Sequence, residues 1–227
     1  MTLPSIRTCR PGALAVDLPL CRLVALVLLA VGLAAGETAT VVQPVPVAAV
    51  RQLGTGKASA TVDLVLDINC LHCAEVFSPT MLALQHFAAA GAIDVTVRWW
   101  PRPREVQSTD LISHILAAPN ATEFRLLSSL VVGTPAGRDW QFLRPRLAEL
   151  IEPSIVERRY EANREAIAGL LAEDAAFVKR WSLRHVPTII LQGRDGTLLG
   201  RWEGLQVDLE LITKQFATLG TAVVDAR

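Results

Sequence analysis

Residues 61–75 read TVDLVLDINCLHCAE, and two different periodicities meet inside them. Val62, Leu64, Leu66 and Ile68 alternate with Asp63, Val65 and Asp67, the period-two pattern of a strand. Beyond the cysteines, in AEVFSPTMLALQHFAAAG (74–91), Val76, Phe77, Met81, Leu84 and Phe87 recur at helical spacing, and Gly91 is a good stop. Pro79 falls inside this pattern and predicts a kink. IDVTVRW (93–99) alternates again. Strand, helix, strand in that order favours a parallel pair with a right-handed crossover. Cys70 and Cys73 then lie at the first strand-to-helix junction.

A helix N-terminus carries unpaired amide donors and partial positive charge, so a thiolate placed there is stabilised. Cys70 is expected to be the more exposed sulfur, with Cys73 about one turn in. That spacing suits a pair that opens and closes. His72 adds a donor, and when protonated a positive charge, beside the sulfurs. This favours the thiolate over the disulfide and makes the disulfide more oxidising. Other readings use the same residues. One is a short structural disulfide. Another is a copper or zinc site made by Cys70, Cys73 and a histidine such as His72, which wants a further soft ligand; Met81 is the one close in sequence. His86 and His114 sit in no motif and read as ordinary surface or core residues. Asn120-Ala121-Thr122 matches a glycosylation sequon, meaningful only in a eukaryotic secretory host.

The chain has 227 residues, 51% of them apolar, enough for one sizeable domain. Formal net charge is zero, so no strongly basic surface argues for a nucleic-acid partner. Arg7, Arg10 and Arg22 precede LVALVLLAVGLAAG (23–36), the pattern of a secretory signal. The apolar stretch is shorter than the roughly 20 residues that span a bilayer. Residues 1–36 therefore read as a signal peptide cleaved after Gly36, or as a membrane anchor. Both place the domain outside the cytoplasm. Cleavage would remove Cys9 and Cys21, leaving Cys70 and Cys73 as the remaining thiols of the four cysteines. Residues 37–57, with Pro44, Pro46, Gly54 and Gly56, read as an extended linker able to lend an edge strand.

Downstream, Pro101 and Pro103 end the third segment, and about residues 104–182 read all-helical. Asn120 with Glu123 forms a capping box. Segments 139–150, 153–170 and 172–181 follow, Pro145 interrupting the first and Pro153 suiting a first turn. The strand signal returns in VPTIILQGRDGTLLGRW (186–202), where GRDG is a turn between strands at 188–191 and 197–202. Residues 207–219 close the chain as an amphipathic helix with Leu209, Ile212, Phe216 and Leu219 on one face.

The two-residue cysteine spacing after a core strand, the kinked helix, and Val186-Pro187-Thr188 opening a strand more than a hundred residues later resemble the thioredoxin fold. The helical insertion, and a histidine directly before the second cysteine, resemble the DsbA-type extracytoplasmic thiol–disulfide oxidoreductases. The resemblance covers about residues 58–220. It implies an α/β thioredoxin fold with a helical insertion at about 104–182, between an N-terminal βαβ unit and a C-terminal ββα unit. By position it makes Cys70 the nucleophile, Cys73 the resolving thiol and His72 the tuning residue. It makes Pro187 a cis-proline against the pair, an isomer that is cheap at X–Pro, with Val186 free to contact an extended substrate. Asp67 falls where related proteins carry an aspartate, as a proton relay or as an ordinary strand-end residue. Leu71 stands where many of the family have proline, Pro79 comes one residue late, and the leader is unusually long.

The function implied is oxidation of cysteines in exported proteins by a periplasmic or otherwise extracytoplasmic monomer, without an organic cofactor. A membrane quinone-linked oxidase would reset the pair. A reductase would run the same residues in reverse. An isomerase usually needs a dimerisation module, for which 37–57 is short.

Overall fold

Five strands form one sheet in the order β1-β3-β2-β4-β5: β1 (Gln52–Leu53), β2 (Ala60–Leu66), β3 (Ile93–Trp99), β4 (Thr188–Gly193) and β5 (Leu198–Glu203). The computed structural model describes residues 45–100, 106–135, 138–207 and 209–224. The stretch read as a leader, with Cys9 and Cys21, lies outside them. β2 runs parallel to β3, and every other pair is antiparallel. The parallel pair needs a crossover, supplied by α2 (Leu71–Ala89) once α1 (Val47–Val50) has preceded β1. Pro79 lies inside α2, which continues through it for 19 residues.

The alternation in β2 divides its side chains between two faces, and both faces are buried. Val62, Leu64 and Leu66 enter the main core, while Val65 packs on the opposite face with Phe177, Leu183 and Ile190. β2 is a central strand covered on both sides, so even Asp63 is buried.

Between β3 and β4 come α3 (Val106–Leu116), α4 (Ala121–Val131), α5 (Trp140–Leu147), α6 (Pro153–Ala162) and α7 (Arg164–Arg180). Asn120 is the N-cap, its Oδ1 accepting the Thr122 and Glu123 amides, each at 2.9 Å; Glu123 Oε1 accepts from the Asn120 side-chain Nδ2 at 3.2 Å, in place of the backbone amide that a capping box uses. The break expected near residue 171 falls instead at Asn163, whose Nδ2 donates to the Arg159 carbonyl at 2.8 Å and closes α6. His114 is a core residue stacked on Trp140, 4.7 Å between centroids, and tilted against Tyr160 at 4.4 Å. A hairpin then leads to a short turn at Gly204–Gln206 and to α8 (Leu209–Val224), whose Ile212 and Phe216 are buried. Among the described residues no helix is long and apolar enough to cross a membrane.

The extended linker expected at 37–57 gives way, where it is described, to α1 and β1. Val47 and Val50 lie three apart, so one helical turn brings both into the core. Gln52 and Leu53 pair with Thr96 and Val95 as an edge strand.

A buried ion cluster fixes this edge to the far helix. Arg51 Nη1 donates to both oxygens of the fully buried Asp174 at 2.8 Å. Asp174 also accepts Arg98 Nη1 and the Trp99 amide, both at 3.0 Å, and Arg98 Nε reaches Asp63 at 2.6 Å. The cluster ties the segment after α1, β2, β3 and α7 together. Burial pushes the Asp174 carboxyl above its ordinary value, and the Arg51 charge, the Trp99 amide and Arg98 only partly oppose it. Removing one member leaves guanidinium charge in the core without its partner. Asp174→Asn is therefore expected to lose about 3–5 kcal/mol of stability, read as a lower midpoint in urea unfolding; a loss below about 1 kcal/mol would show that the cluster is solvated.

Candidate active site

β2 stops at Leu66, and three residues turn the chain into α2. Asp67 is buried and its Oδ1 accepts the Asn69 amide at 2.9 Å. Its carbonyl accepts the Cys70 amide at 3.2 Å, and Asn69 Nδ2 ties the turn to Ser108 of α3 at 2.7 Å. Cys70 is the N-cap. Its extended backbone, φ −88° and ψ 112°, brings the sulfur back over the helix end, where it accepts the Cys73 amide at 3.0 Å. A sulfur in this place does what a serine or aspartate oxygen does at other caps.

The two cysteines are free thiols in unlike surroundings. Cys70 is half-buried and Cys73 fully buried. Burial pushes the Cys73 thiol far up, and the neighbouring Cys70 sulfur and the Asp67 charge add to this against a hydrogen bond at the Asp67 backbone. Cys73 is thus a neutral thiol at physiological pH. Opposite the pair, the Val186–Pro187 peptide is cis, and the Val186 carbonyl lies 3.7 Å from the Cys70 sulfur.

The chain matches no protein-family model and no curated protein sequence. Solved structures do resemble it. Wolbachia pipientis alpha-DsbA1 superposes with a TM-score of 0.59 at 14% identity, over 78% of this chain and 94% of that one. Pseudomonas aeruginosa DsbA2 gives 0.53 at 15% identity, over 74% and 93%. Oxidised BdbD from Bacillus subtilis gives 0.55 at 15%, over 75% and 92%. The fold is a thioredoxin fold with a helical insertion. In this thioredoxin frame the cysteine pair caps the first helix and the cis-proline opens the strand beside it.

His72 makes its hydrogen-bonding contact along its own helix. Its Nδ1 faces Glu75 Oε2 at 3.2 Å, while its Nε2 is buried with no hydrogen-bond partner. Among the described residues, no hydrogen bond links it to either sulfur. Leu71 stands 72% exposed beside Cys70, an apolar side chain on the rim. Among the described residues no three His, Cys, Asp or Glu side chains group as a metal site, and Met81 is buried in the core.

Glu203 is part of the site without any signal in its own sequence neighbourhood. At the end of β5 its Oε2 accepts the Arg184 and His185 amides at 3.0 and 3.2 Å, and its Oε1 takes Arg201 Nε at 2.7 Å. The next amide, Gly204, donates to the Pro187 carbonyl at 2.7 Å. Gly204 has φ +57°, and a Cβ there would come within 3.2 Å of His185 Cβ. Residues 203–204 therefore clip the segment that presents Val186 to Cys70. Gly133 does similar work below the pair: its amide donates to the Ile68 carbonyl at 2.6 Å, and an added Cβ would sit 2.7 Å from that of Ala74.

Burial would raise the Glu203 carboxyl, but the Arg184 amide, Arg201 and the His185 amide outweigh it and hold the carboxyl below its ordinary value. A carboxyl depressed by folding stabilises above its unfolded pKa of about 4.3, and that contribution disappears as pH falls through its lower folded value. Glu203→Ala is expected to speed hydrogen exchange at the Arg184 and His185 amides by on the order of tenfold, one hydrogen bond's worth. The wild-type amides should lose the same protection, relative to intrinsic rates, below about pH 4. Unchanged exchange at both amides in the variant would show that the loop is held by other contacts.

Proposed function

We propose that this protein is an extracytoplasmic thiol–disulfide oxidoreductase that oxidises cysteines of exported proteins through a Cys70–Cys73 disulfide. The observation that carries this is the asymmetry of the pair: an accessible capping sulfur beside the Val186 carbonyl, and a buried neutral thiol one turn behind it.

The steps follow from that asymmetry. A substrate thiolate attacks the Cys70 sulfur of the disulfide; the Cys70–Cys73 bond breaks and a mixed disulfide forms. Cys73 leaves as a thiolate and takes up a proton, which its burial favours strongly. We assign the passage of that proton to Asp67, which is buried and whose charge raises the Cys73 thiol. A second substrate thiolate then attacks the substrate's own sulfur and expels Cys70. Two electrons have moved from the substrate dithiol to the pair. The expelled Cys70 thiolate is held by the Cys73 amide and the positive end of α2, which makes it a good leaving group. Val186 and Pro187 form the surface along which an extended substrate lies. A redox partner at the membrane accepts the two electrons and resets the disulfide, as the resemblance to the DsbA-type oxidoreductases implies.

His72 tunes the pair from one side, with Glu75 as its own partner. A charge near a sulfur acts on the thiolate and not on the disulfide. Each 1.4 kcal/mol by which the reduced form is favoured raises a two-electron potential by about 30 mV.

Two measurements test the proposal. Cys73→Ala should accumulate mixed disulfides with substrate proteins on Cys70, and Cys70→Ala should not; trapping by the second variant alone would exchange the roles of the two cysteines. The reduction potential of the isolated protein should lie above the thioredoxin value of about −270 mV. A potential at or below that value would make the protein a reductase working through the same residues.

A further inference from the structure

Two clefts flank the Val186 carbonyl, and Arg184 and His185 line both. One, of about 510 Å³, is shared with Cys70 and Trp100. The other, of about 540 Å³, is shared with His72, Glu203 and Leu205. The charged groups around them are unequally engaged. Glu203 is already committed to Arg201 and to two backbone amides, and Glu75 to His72. Among the described residues, the exposed Arg184 guanidinium pairs with no carboxylate; the one hydrogen bond Arg184 makes to Glu203 is through its backbone amide. Apart from Gln206 in the second cleft, the remaining side chains are apolar: Trp100 and Val186 are half-buried, and Leu205 is 89% exposed.

A cleft with a free guanidinium and an apolar wall, next to a reactive sulfur, fits a glutamate or aspartate carried near the substrate's cysteine. An extended chain advances about 3.3 Å per residue, so a residue within two positions of that cysteine reaches it. We propose that Arg184 is a specificity-determining residue that selects polypeptide cysteines with an acidic side chain within two residues. This rests on the thiol–disulfide reading above and names its substrate class.

The test uses the full oxidised chain and three reduced dithiol peptides that differ only in the flanking residue, glutamate, glutamine or lysine. Each rate is divided by that peptide's rate with an uncharged small disulfide, which removes differences in intrinsic thiol reactivity. The glutamate peptide should be favoured over the glutamine peptide by up to about fivefold, the scale of one exposed ion pair. The lysine peptide should be slowest, and the spread should collapse in about 1 M salt, where charges are screened within roughly 3 Å. Arg184→Glu should reverse the order of glutamate and lysine. Equal normalised rates, or an order that Arg184→Glu leaves in place, overturn the inference and leave the redox reading standing. No exchange with any peptide overturns the redox reading and the inference together.

Discussion

The register between β2 and β4 is the constraint on which the site depends. β2 ends at Leu66 and β4 begins at Thr188, and their antiparallel pairing sets Val65 opposite Thr188. The chain leaving β2 and the chain entering β4 therefore meet at one end of the sheet. Four residues after β2 comes Cys70, and just before β4 comes Val186. A separation of 116 positions along the chain becomes a sulfur-to-carbonyl distance of 3.7 Å. A slip of one residue would send Val65 and Ile190 to the wrong faces, so the core that holds the register also holds the site.

Charge is arranged in two ways around that frame. In the interior, Arg51 and Arg98 meet Asp63 and Asp174, and each buried charge faces an opposite one. Such a cluster contributes little net stability but makes alternative packings costly. It fastens α7 to the parallel pair, and α7 leads directly into the segment bearing Pro187. At the surface, Glu203 performs a smaller version of the same task by gathering two amides and a guanidinium. One consequence is chemical: the Glu203 carboxylate in one of the two clefts is already occupied, whereas among the described residues no carboxylate pairs with the exposed Arg184.

Legibility differed by residue. The strands at Ala60–Leu66 and Ile93–Trp99 were readable because their polar and apolar residues alternate. The hairpin was readable because GRDG between branched residues has few other uses. Asn120 announced its helix as an N-cap, which needs only local bonds. The helices at Pro153–Ala162 and Arg164–Arg180 were misdivided, because the break is made by one asparagine side chain and not by glycine or proline. The turn at Val47–Val50 was missed because four residues carry no period; core contacts with Val47 and Val50 hold it. His72 was placed near the sulfurs by spacing alone, and its partner Glu75 lies one helical turn away on the exposed side.

The sequence by itself determined a cysteine pair at a strand-to-helix junction, the helical segment after the first parallel unit, and the proline that opens a later strand. These are local facts, written in periodicity, caps and motif spacing. Only the tertiary structure decided that Cys73 is buried and neutral, that Glu203 and Gly204 clip the loop bearing Val186, and that Arg184, whose guanidinium pairs with no carboxylate among the described residues, lines one cleft with Cys70. Each of these depends on groups from distant segments meeting in a low-dielectric interior or on a shared surface. Burial and long-range pairing leave no periodic trace in the chain.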